Sequence, residues 1–494
     1  MTAIGRIEEA PAEGPGLGAR VRGALLWRSG SQLAAQLVMW AGTFFVIRTL
    51  APADYGLFAM TQVVLVFLTL MNGHGFAGAL VRQGEVTRLE IRQAFGLLLL
   101  LNGTLALVQL LLAPLAAAYY RQPIVADMLR VQALIYLSTP FTALPSALLS
   151  RRIDFRRQGQ VHLLSAFASA ATALACALSG WGVWTLVAAP LVLFWTQAVG
   201  LTVLARSLVW PSFRFAGAGS LVRYGGAMAA VQFFWFVQSQ SDVFIAGRLF
   251  EPHALGLYTT SLFLTQILAA KFVPPVNEVS FAAYSRLQAS PDALAVAFVK
   301  AARLVLLVAL PFYAGMAAAA EPLVLTVLGE KWRDTAPLVR VLACAMPFMT
   351  LQILFAPATN ALGRPRIALF VAMAGAAIMP LAFLLAVRFG TAGLARAWLA
   401  AFPLLLAVTL RLSLPVIGLR LGALARALAP GAAAAAAMGV AVASLDSRLP
   451  PMAPAVRLAF LVGFGIAAYA GLLLAFARPL LREVVAFARP AQAL

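Results

Sequence analysis

Acidic side chains are scarce in this sequence. Only 17 Asp and Glu stand against 37 Lys and Arg, and charged residues of both signs fill 11% of its 494 positions, where a soluble domain averages about 25%. Cysteine is nearly absent. Cys176 and Cys344 lie in separate apolar runs without metal-ligand spacing, which excludes a disulfide framework. Both are expected to be small buried hydrophobes. Histidine occurs three times, as His74, His162 and His253, and no ligand set surrounds any of them, so no metal and no cofactor is expected. Lysine is confined to Lys271, Lys300 and Lys331, a shortage that points to genome composition rather than function. There is no phosphate-cradling Walker loop, dinucleotide fingerprint or nucleophile elbow. The chain is therefore not expected to hydrolyse ATP, and uphill movement would draw on an ion gradient or the substrate's own.

What fills the chain instead is hydrophobic: 62% of residues, with a mean hydropathy of +0.91. Apolar runs of about 20 residues are the length of a bilayer-spanning helix. Fourteen are expected, at 27–47, 57–80, 95–118, 130–149, 159–179, 182–205, 221–247, 255–275, 296–319, 336–358, 367–387, 391–414, 423–444 and 457–477. The first and seventh are the most polar. The fold class expected is an all-α polytopic membrane protein.

The net charge of +20 invites a nucleic-acid reading. The basic residues, however, sit between the apolar runs, where membrane orientation demands them, and no nucleic-acid partner is expected. With the N-terminus inside, 26 of the 37 Lys and Arg fall on inside segments. Arg151-Arg152-Ile153-Asp154-Phe155-Arg156-Arg157 is the strongest single anchor, and both termini are placed in the cytoplasm. Met1 to Arg22 has neither a hydrophobic core nor a small-residue cleavage site, so it reads as a disordered cytoplasmic tail and not a signal peptide. The outside loops are short. The longest, Ala320 to Thr335, is too small for an extracellular domain, while the inside connection from Val276 to Ala295 should include a helical extension.

A repeat organises the chain. Arg48-Thr49-Leu50-Ala51-Pro52-Ala53-Asp54-Tyr55-Gly56-Leu57-Phe58 recurs 200 positions later as Arg248-Leu249-Phe250-Glu251-Pro252-His253-Ala254-Leu255-Gly256-Leu257-Tyr258. Arg, Pro, Gly and Leu match, the last position is aromatic in both, and Gln32/Gln232 and Phe44/Phe244 match at the same offset. The expectation is two pseudo-symmetric six-helix bundles, 25–206 and 221–415, around a central cavity. Two further helices at 423–477 are peripheral, and residues 1–24 and 478–494 are tails.

Polar residues at membrane depth are costly unless they face protein or water. Ser29, Gln32, Gln36 and Thr43 form one helical stripe on the first span, and Gln232, Trp235, Ser239 and Asp242 form one on the seventh. Both are expected to face a hydrated cavity. Asp242 is either a coupling-ion or proton site, a cavity counter-charge, or a structural partner of an arginine such as Arg248. Arg28 and Arg223 open the two polar spans, and Arg48 and Arg248 close them. Arginine forks suit a pyrophosphate, although snorkelling to the interface accounts for them as well. Lys300 and Arg303 are weaker candidates, and His74 sits between glycines that suggest a broken helix.

The Arg48 to Phe58 segment resembles a known family, as does Gly75-Phe76-Ala77-Gly78-Ala79-Leu80-Val81-Arg82-Gln83. So do Leu148-Leu149-Ser150-Arg151-Arg152-Ile153-Asp154-Phe155 and Gly180-Trp181-Gly182-Val183-Trp184-Thr185-Leu186-Val187. In the second half the same holds for Asp242 to Tyr258, Gly329-Glu330-Lys331-Trp332 and Ala361-Leu362-Gly363-Arg364. Together these pieces resemble the Wzx-like oligosaccharide flippases, most similarly the colanic-acid and exopolysaccharide exporters. They belong to the multidrug, oligosaccharidyl-lipid and polysaccharide exporter superfamily.

The resemblance implies two six-helix bundles in a V around a central cavity. It implies transport of an undecaprenyl-pyrophosphate-linked oligosaccharide repeat unit from the inner to the outer leaflet of the cytoplasmic membrane. Membrane lipids, a polysaccharide polymerase and a co-polymerase follow as partners. Substrate contacts would come from Arg28, Gln32, Arg48, Arg223, Gln232, Asp242 and Arg248, with no catalytic residue. A cation-coupled multidrug exporter, a lipid II flippase and a polysaccharide polymerase or ligase remain as alternatives. The last would need a larger outer loop than this chain has.

Overall fold

Lipid offers no hydrogen bonds to backbone groups, so apolar runs of this length fold as helices that satisfy themselves. The computed structural model describes residues 17–70, 87–151, 154–213 and 219–476, without the side chains of 17–26, 28, 29, 219–231 and 291. His74, the Gly75 to Gln83 stretch and the outer parts of both tails lie outside the described residues.

The helices are α1 (Leu17–Thr49), α2 (Pro52–Thr69), α3 (Arg88–Tyr120), α4 (Ile124–Gln132), α5 (Leu134–Ser138), α6 (Pro140–Arg151), α7 (Phe155–Leu178) and α8 (Trp184–Ala205). The series continues with α9 (Gly219–Leu249), α10 (Pro252–Leu287), α11 (Pro291–Ala318), α12 (Ala320–Val327), α13 (Ala336–Ile353) and α14 (Phe355–Ala361). It ends with α15 (Pro365–Ala386), α16 (Gly390–Ile417), α17 (Leu421–Asp446) and α18 (Pro454–Phe476). Among the described residues there is no strand.

Eleven stretches are long and apolar enough to cross a membrane, and one of them, Pro365–Ile417, holds both α15 and α16. Helices α9 and α10 have the length but carry more polar side chains. Together these match the fourteen spans read from the sequence, and the chain is a multi-pass, all-α membrane protein. The fourth span is broken into α4, α5 and α6, with Pro140 and Pro145 in its last piece.

Two boundaries and the burial of one cysteine differ from expectation. Helix α1 begins at Leu17, inside the segment read as tail. The Ala320 to Thr335 segment is not a loop: α12 and a 3-10 turn at Glu330–Thr335 fill it. Cys176 is buried as expected, but Cys344 is exposed on α13; an apolar run in a membrane has a lipid face as well as a protein face, and composition alone does not separate them. The inside extension does form, since α10 continues as helix to Leu287 through Pro274 and Pro275.

By compactness the chain divides into two units. The first holds Met1–Val46, Asn72–Leu111 and Leu129–Leu221; the second holds Ile47–Met71, Leu112–Met128 and Val222–Leu494. In the first unit α1 lies on α7 through small residues. A Cβ on Gly159 would meet Ser31 at 2.4 Å, and one on Gly42 would meet Ala170 at 3.3 Å. Ser31 and Gly42 are eleven residues apart, about three turns, as are Gly159 and Ala170, so the seam keeps register. Thr87 and Glu90 cap α3 reciprocally: Thr87 N–H donates to Glu90 (2.7 Å), and Glu90 N–H donates to the Thr87 hydroxyl (3.2 Å).

The second unit contains a large apolar cluster that includes Val273, Tyr284, Phe298, Phe355 and Ile417. Its last two helices pack on α11: Gly439 of α17 lies against Ala314, and the Tyr469 hydroxyl of α18 donates to the Leu307 carbonyl at 3.0 Å.

Candidate functional site

The two copies of the repeat meet within the second unit. Pro52 and Pro252 each open a helix at a position where a missing N–H costs nothing. One turn on, Gly56 and Gly256 face one another. A Cβ on Gly56 would lie 1.9 Å from the Pro252 carbonyl oxygen, and one on Gly256 would lie 1.7 Å from that of Pro52. Each glycine also sits against the other's backbone nitrogen, 3.0 Å from where its own Cβ would be. The contact is reciprocal, residue for residue, as a twofold axis between equivalent helices requires. Only hydrogen at these positions lets α2 and α10 approach so closely.

Around this crossing, the end of α1 is held by the α12 to α13 segment. Arg48 donates to the Thr326 carbonyl. Lys331 Nζ donates to the Thr49 carbonyl (2.7 Å), and Trp332 Nε1 donates to that of Ile47 (2.9 Å). Trp332 is fully buried, edge-on to Tyr55 with ring centroids 5.5 Å apart. Gly329, at φ 98°, sets the turn that aims it. The end of α9 is treated alike: Arg248 donates to the Tyr119 carbonyl at the C-terminus of α3 and lies over the Tyr119 ring, 5.5 Å from its centroid. Both arginines thus place a cation on carbonyls that a helix end leaves unpaired.

Trp332 carries a prediction. Trp332→Ala should cost roughly 3–5 kcal/mol, the usual range for deleting a large buried aromatic. Trp332→Phe should cost only about 1 kcal/mol for the lost donor. Thermal aggregation temperatures of the purified protein in detergent rank the two, and equal loss from both would place the effect in the hydrogen bond alone.

Asp242 is 1% exposed. Its Oδ2 accepts from the Tyr258 hydroxyl at 2.8 Å, and its Oδ1 accepts from the Val243 N–H at 2.7 Å. The Tyr258 hydroxyl in turn accepts from Trp398 Nε1 at 2.7 Å. The chain of groups ties α9 to α10 and α16, and all three side chains are buried. The pairing of Asp242 with Arg248 that the sequence allowed does not form, because Arg248 reaches α3 instead. Tyr258 entered the sequence reading only as the aromatic last position of the repeat, and Trp398 was not singled out. The available signal was their type: a tyrosine and a tryptophan inside apolar helices each bring one polar group that needs a partner.

The other expected residues separate into groups. Gln232 lies ten residues before Asp242, about 15 Å down α9, and is exposed together with Trp235, while Ser239 is half-exposed. Gln32 is exposed on α1, in the first unit. Arg28 and Arg223 lie on α1 and near the start of α9, with side chains outside the described residues. On α11, Lys300 is exposed and Arg303 half-buried. Asp242 therefore lies on the same face of α9 as the exposed Trp235, but α10 and α16 close over that face at its level.

The model of the polysaccharide biosynthesis protein family matches residues 45–337, which include the repeat crossing, the Trp332 clamp and Asp242. The chain belongs to that family. Among curated relatives, the succinoglycan biosynthesis transport protein ExoT of Rhizobium meliloti is 24% identical over 64% of this chain and 64% of its own length. The lipopolysaccharide biosynthesis protein WzxC of Escherichia coli is 20% identical over 58% of the chain and 59% of itself. The teichuronic acid biosynthesis protein TuaB of Bacillus subtilis is 21% identical over 56% and 58%. The chain thus spans about six-tenths of the length of the curated relatives it matches.

Among solved structures, the lipid II flippase MurJ superposes with a TM-score of 0.73 at 11% identity, covering 92% of this chain and all of that one. An inward-facing multidrug-resistance MATE transporter superposes at 0.60 with 14% identity, covering 78% and 95%. At these identities the likeness establishes the fold, the all-α architecture that the resemblance implied.

Proposed function

We propose that this protein is a flippase that moves undecaprenyl-pyrophosphate-linked oligosaccharide repeat units across the cytoplasmic membrane for exopolysaccharide or lipopolysaccharide synthesis. The observation that carries the reading is a polar face on a membrane-length helix of a polysaccharide-biosynthesis chain. On α9, Gln232 and Trp235 are exposed although they lie near the middle of a 31-residue helix. A pyrophosphate and several sugars cannot cross about 30 Å of hydrocarbon unaided. A polar wall shields them while the lipid tail stays in the bilayer.

In this reading the two repeats, 25–206 and 221–415, are the bundles that rock about one another in alternating access. Gln32 and Gln232 occupy equivalent places on the two walls, and Arg28 and Arg223 supply cations at the inner mouth for the pyrophosphate. The excess of basic residues on the segments read as inside supports cytoplasmic termini, and the cell inner membrane is the location this reading requires. A polysaccharide polymerase and its co-polymerase would receive the product. The protein is a transporter and not an enzyme.

Arg223→Ala and Gln232→Leu test this. Each is expected to reduce surface polysaccharide several-fold in a complemented deletion strain while membrane levels of the protein stay normal. Normal export from both would remove the cavity assignment. Dye efflux by reconstituted vesicles would instead favour a drug exporter.

A further inference from the structure

We propose that Trp235, flanked by Gln232 and Ser239, is a sugar-stacking subsite that recognises the pyranose rings of the cargo and not its pyrophosphate; this rests on the flippase reading above. The argument begins with what borders α9. On one flank the Gln238 side chain fills the space that a Cβ on Gly375 of α15 would need, its Oε1 only 2.0 Å from that point. On the other flank Phe236 packs on Phe67 of α2, with ring centroids 5.1 Å apart. At about 100° per residue, Trp235, Ser239 and Gln232 fall on the arc between those two contacts. Among the described residues that arc is open at Trp235, which is 47% exposed, and at Gln232 beside it, and it closes only about two turns on, at Asp242. The remaining exposed arc carries Phe233 and Phe244, two large apolar rings suited to lipid chains, with the half-buried Gln240 at its edge.

A tryptophan at this place is out of keeping with an anchoring role. Membrane tryptophans gather at the two interfaces, where the indole N–H meets water. Trp235 stands 16 residues from the start of α9 and 14 from its end, about 20 Å from either. What an exposed indole does offer at mid-depth is a broad flat face with one donor, beside an amide that both donates and accepts. That is the chemistry of a sugar ring: axial C–H groups on one face, hydroxyls around the rim. It is a poor match for a pyrophosphate, which wants cations.

The repeat adds an independent point. Gln232 has its copy in Gln32, but the position equivalent to Trp235 is Ala35 and that equivalent to Ser239 is Met39. The amide is common to both copies and the aromatic platform belongs to the second alone. A cargo with a charged end and a saccharide end needs such an asymmetry.

Two measurements on the full-length protein test the subsite. The first places cysteine at position 235 (Trp235→Cys) or 244 (Phe244→Cys) after Cys176→Ser and Cys344→Ser, and follows labelling by a small maleimide, which needs an ionised thiol and therefore water. Position 235 should label and position 244 should not; a silent position 235 overturns the proposal whatever the protein transports. The second compares capture of undecaprenyl pyrophosphate bearing an oligosaccharide with capture of sugar-free undecaprenyl pyrophosphate. Trp235→Ala should weaken the first about tenfold and leave the second unchanged, and Trp235→Phe should recover most of the loss. Equal weakening of both probes overturns the subsite alone. A wild type that captures neither overturns the flippase reading and the subsite with it.

Discussion

Gly56→Ala and Gly256→Ala are each expected to destabilise the protein by about 3 kcal/mol or more, and by similar amounts. Overpacking a tight contact ordinarily costs about 1–3 kcal/mol. Here the added methyl would meet a backbone carbonyl at 1.9 Å or 1.7 Å, and a carbonyl held inside a helix cannot rotate away as a side-chain end can. The two helices must part. That would strain the neighbouring attachments of the α1 end to Thr326, Lys331 and Trp332.

Gly103→Ala is the internal control. That glycine lies within α3 with nothing near its missing Cβ, so alanine there should be neutral or stabilising by about 0.5–1 kcal/mol through helix propensity. The recovery of monodisperse protein and its aggregation temperature in detergent report all three. A tolerated Gly256→Ala beside a damaging Gly56→Ala would remove the reciprocal crossing, since a symmetric contact has no spare side.

The repeat motif was visible as text, and the reason for its glycine was not. Periodicity and length gave the helices because lipid leaves the backbone one solution, and the spacing of 200 marked equivalent helices. What text does not carry is which faces of those helices meet. Arg48 and Arg248 read as pyrophosphate forks or as snorkelling or loop-packing side chains, and only the structure shows that each reaches a carbonyl at a helix end. The Ala320 to Thr335 stretch read as a loop because its charged residues, Glu330, Lys331 and Arg333, are loop-like in composition. In three dimensions Arg333 is held by Glu321 and Glu330, and Trp332 turns inward. The polar stripe on α9 was legible by helical spacing for Gln232 and Trp235. It failed for Asp242, because the helix changes neighbours along its length: the same face that is open at Trp235 is covered at Asp242 by Tyr258 and Trp398.

Tyr258→Phe is expected to be more damaging than Asp242→Asn, and the two are expected to be strongly non-additive. The buried carboxylate of Asp242 takes its hydrogen bonds from one backbone N–H and the Tyr258 hydroxyl. Removing the hydroxyl leaves a buried acceptor oxygen without its donor and strands the Trp398 N–H as well; a lost bond to a charged group plus the desolvation left behind amounts to about 2–3 kcal/mol. Asp242→Asn keeps an acceptor for Tyr258 without the charge, and in that background Tyr258→Phe should cost only about 1 kcal/mol. Aggregation temperatures of the two single variants and the double variant give the coupling, expected at 1 kcal/mol or more; strict additivity would show that Tyr258 does not support the carboxylate. The first repeat bears on why the carboxylate is there. At the equivalent positions it has Gly42 and Phe58, with no acid and no hydroxyl, so the repeat folds without this pair. Under the proposed flippase reading, a carboxylate that the first repeat lacks, buried at a cost and held by one aromatic donor and one backbone N–H, is assigned to transport and not to folding. Asp242→Asn should therefore reduce export of surface polysaccharide several-fold at normal protein level, whereas a purely structural group would lose both together or neither.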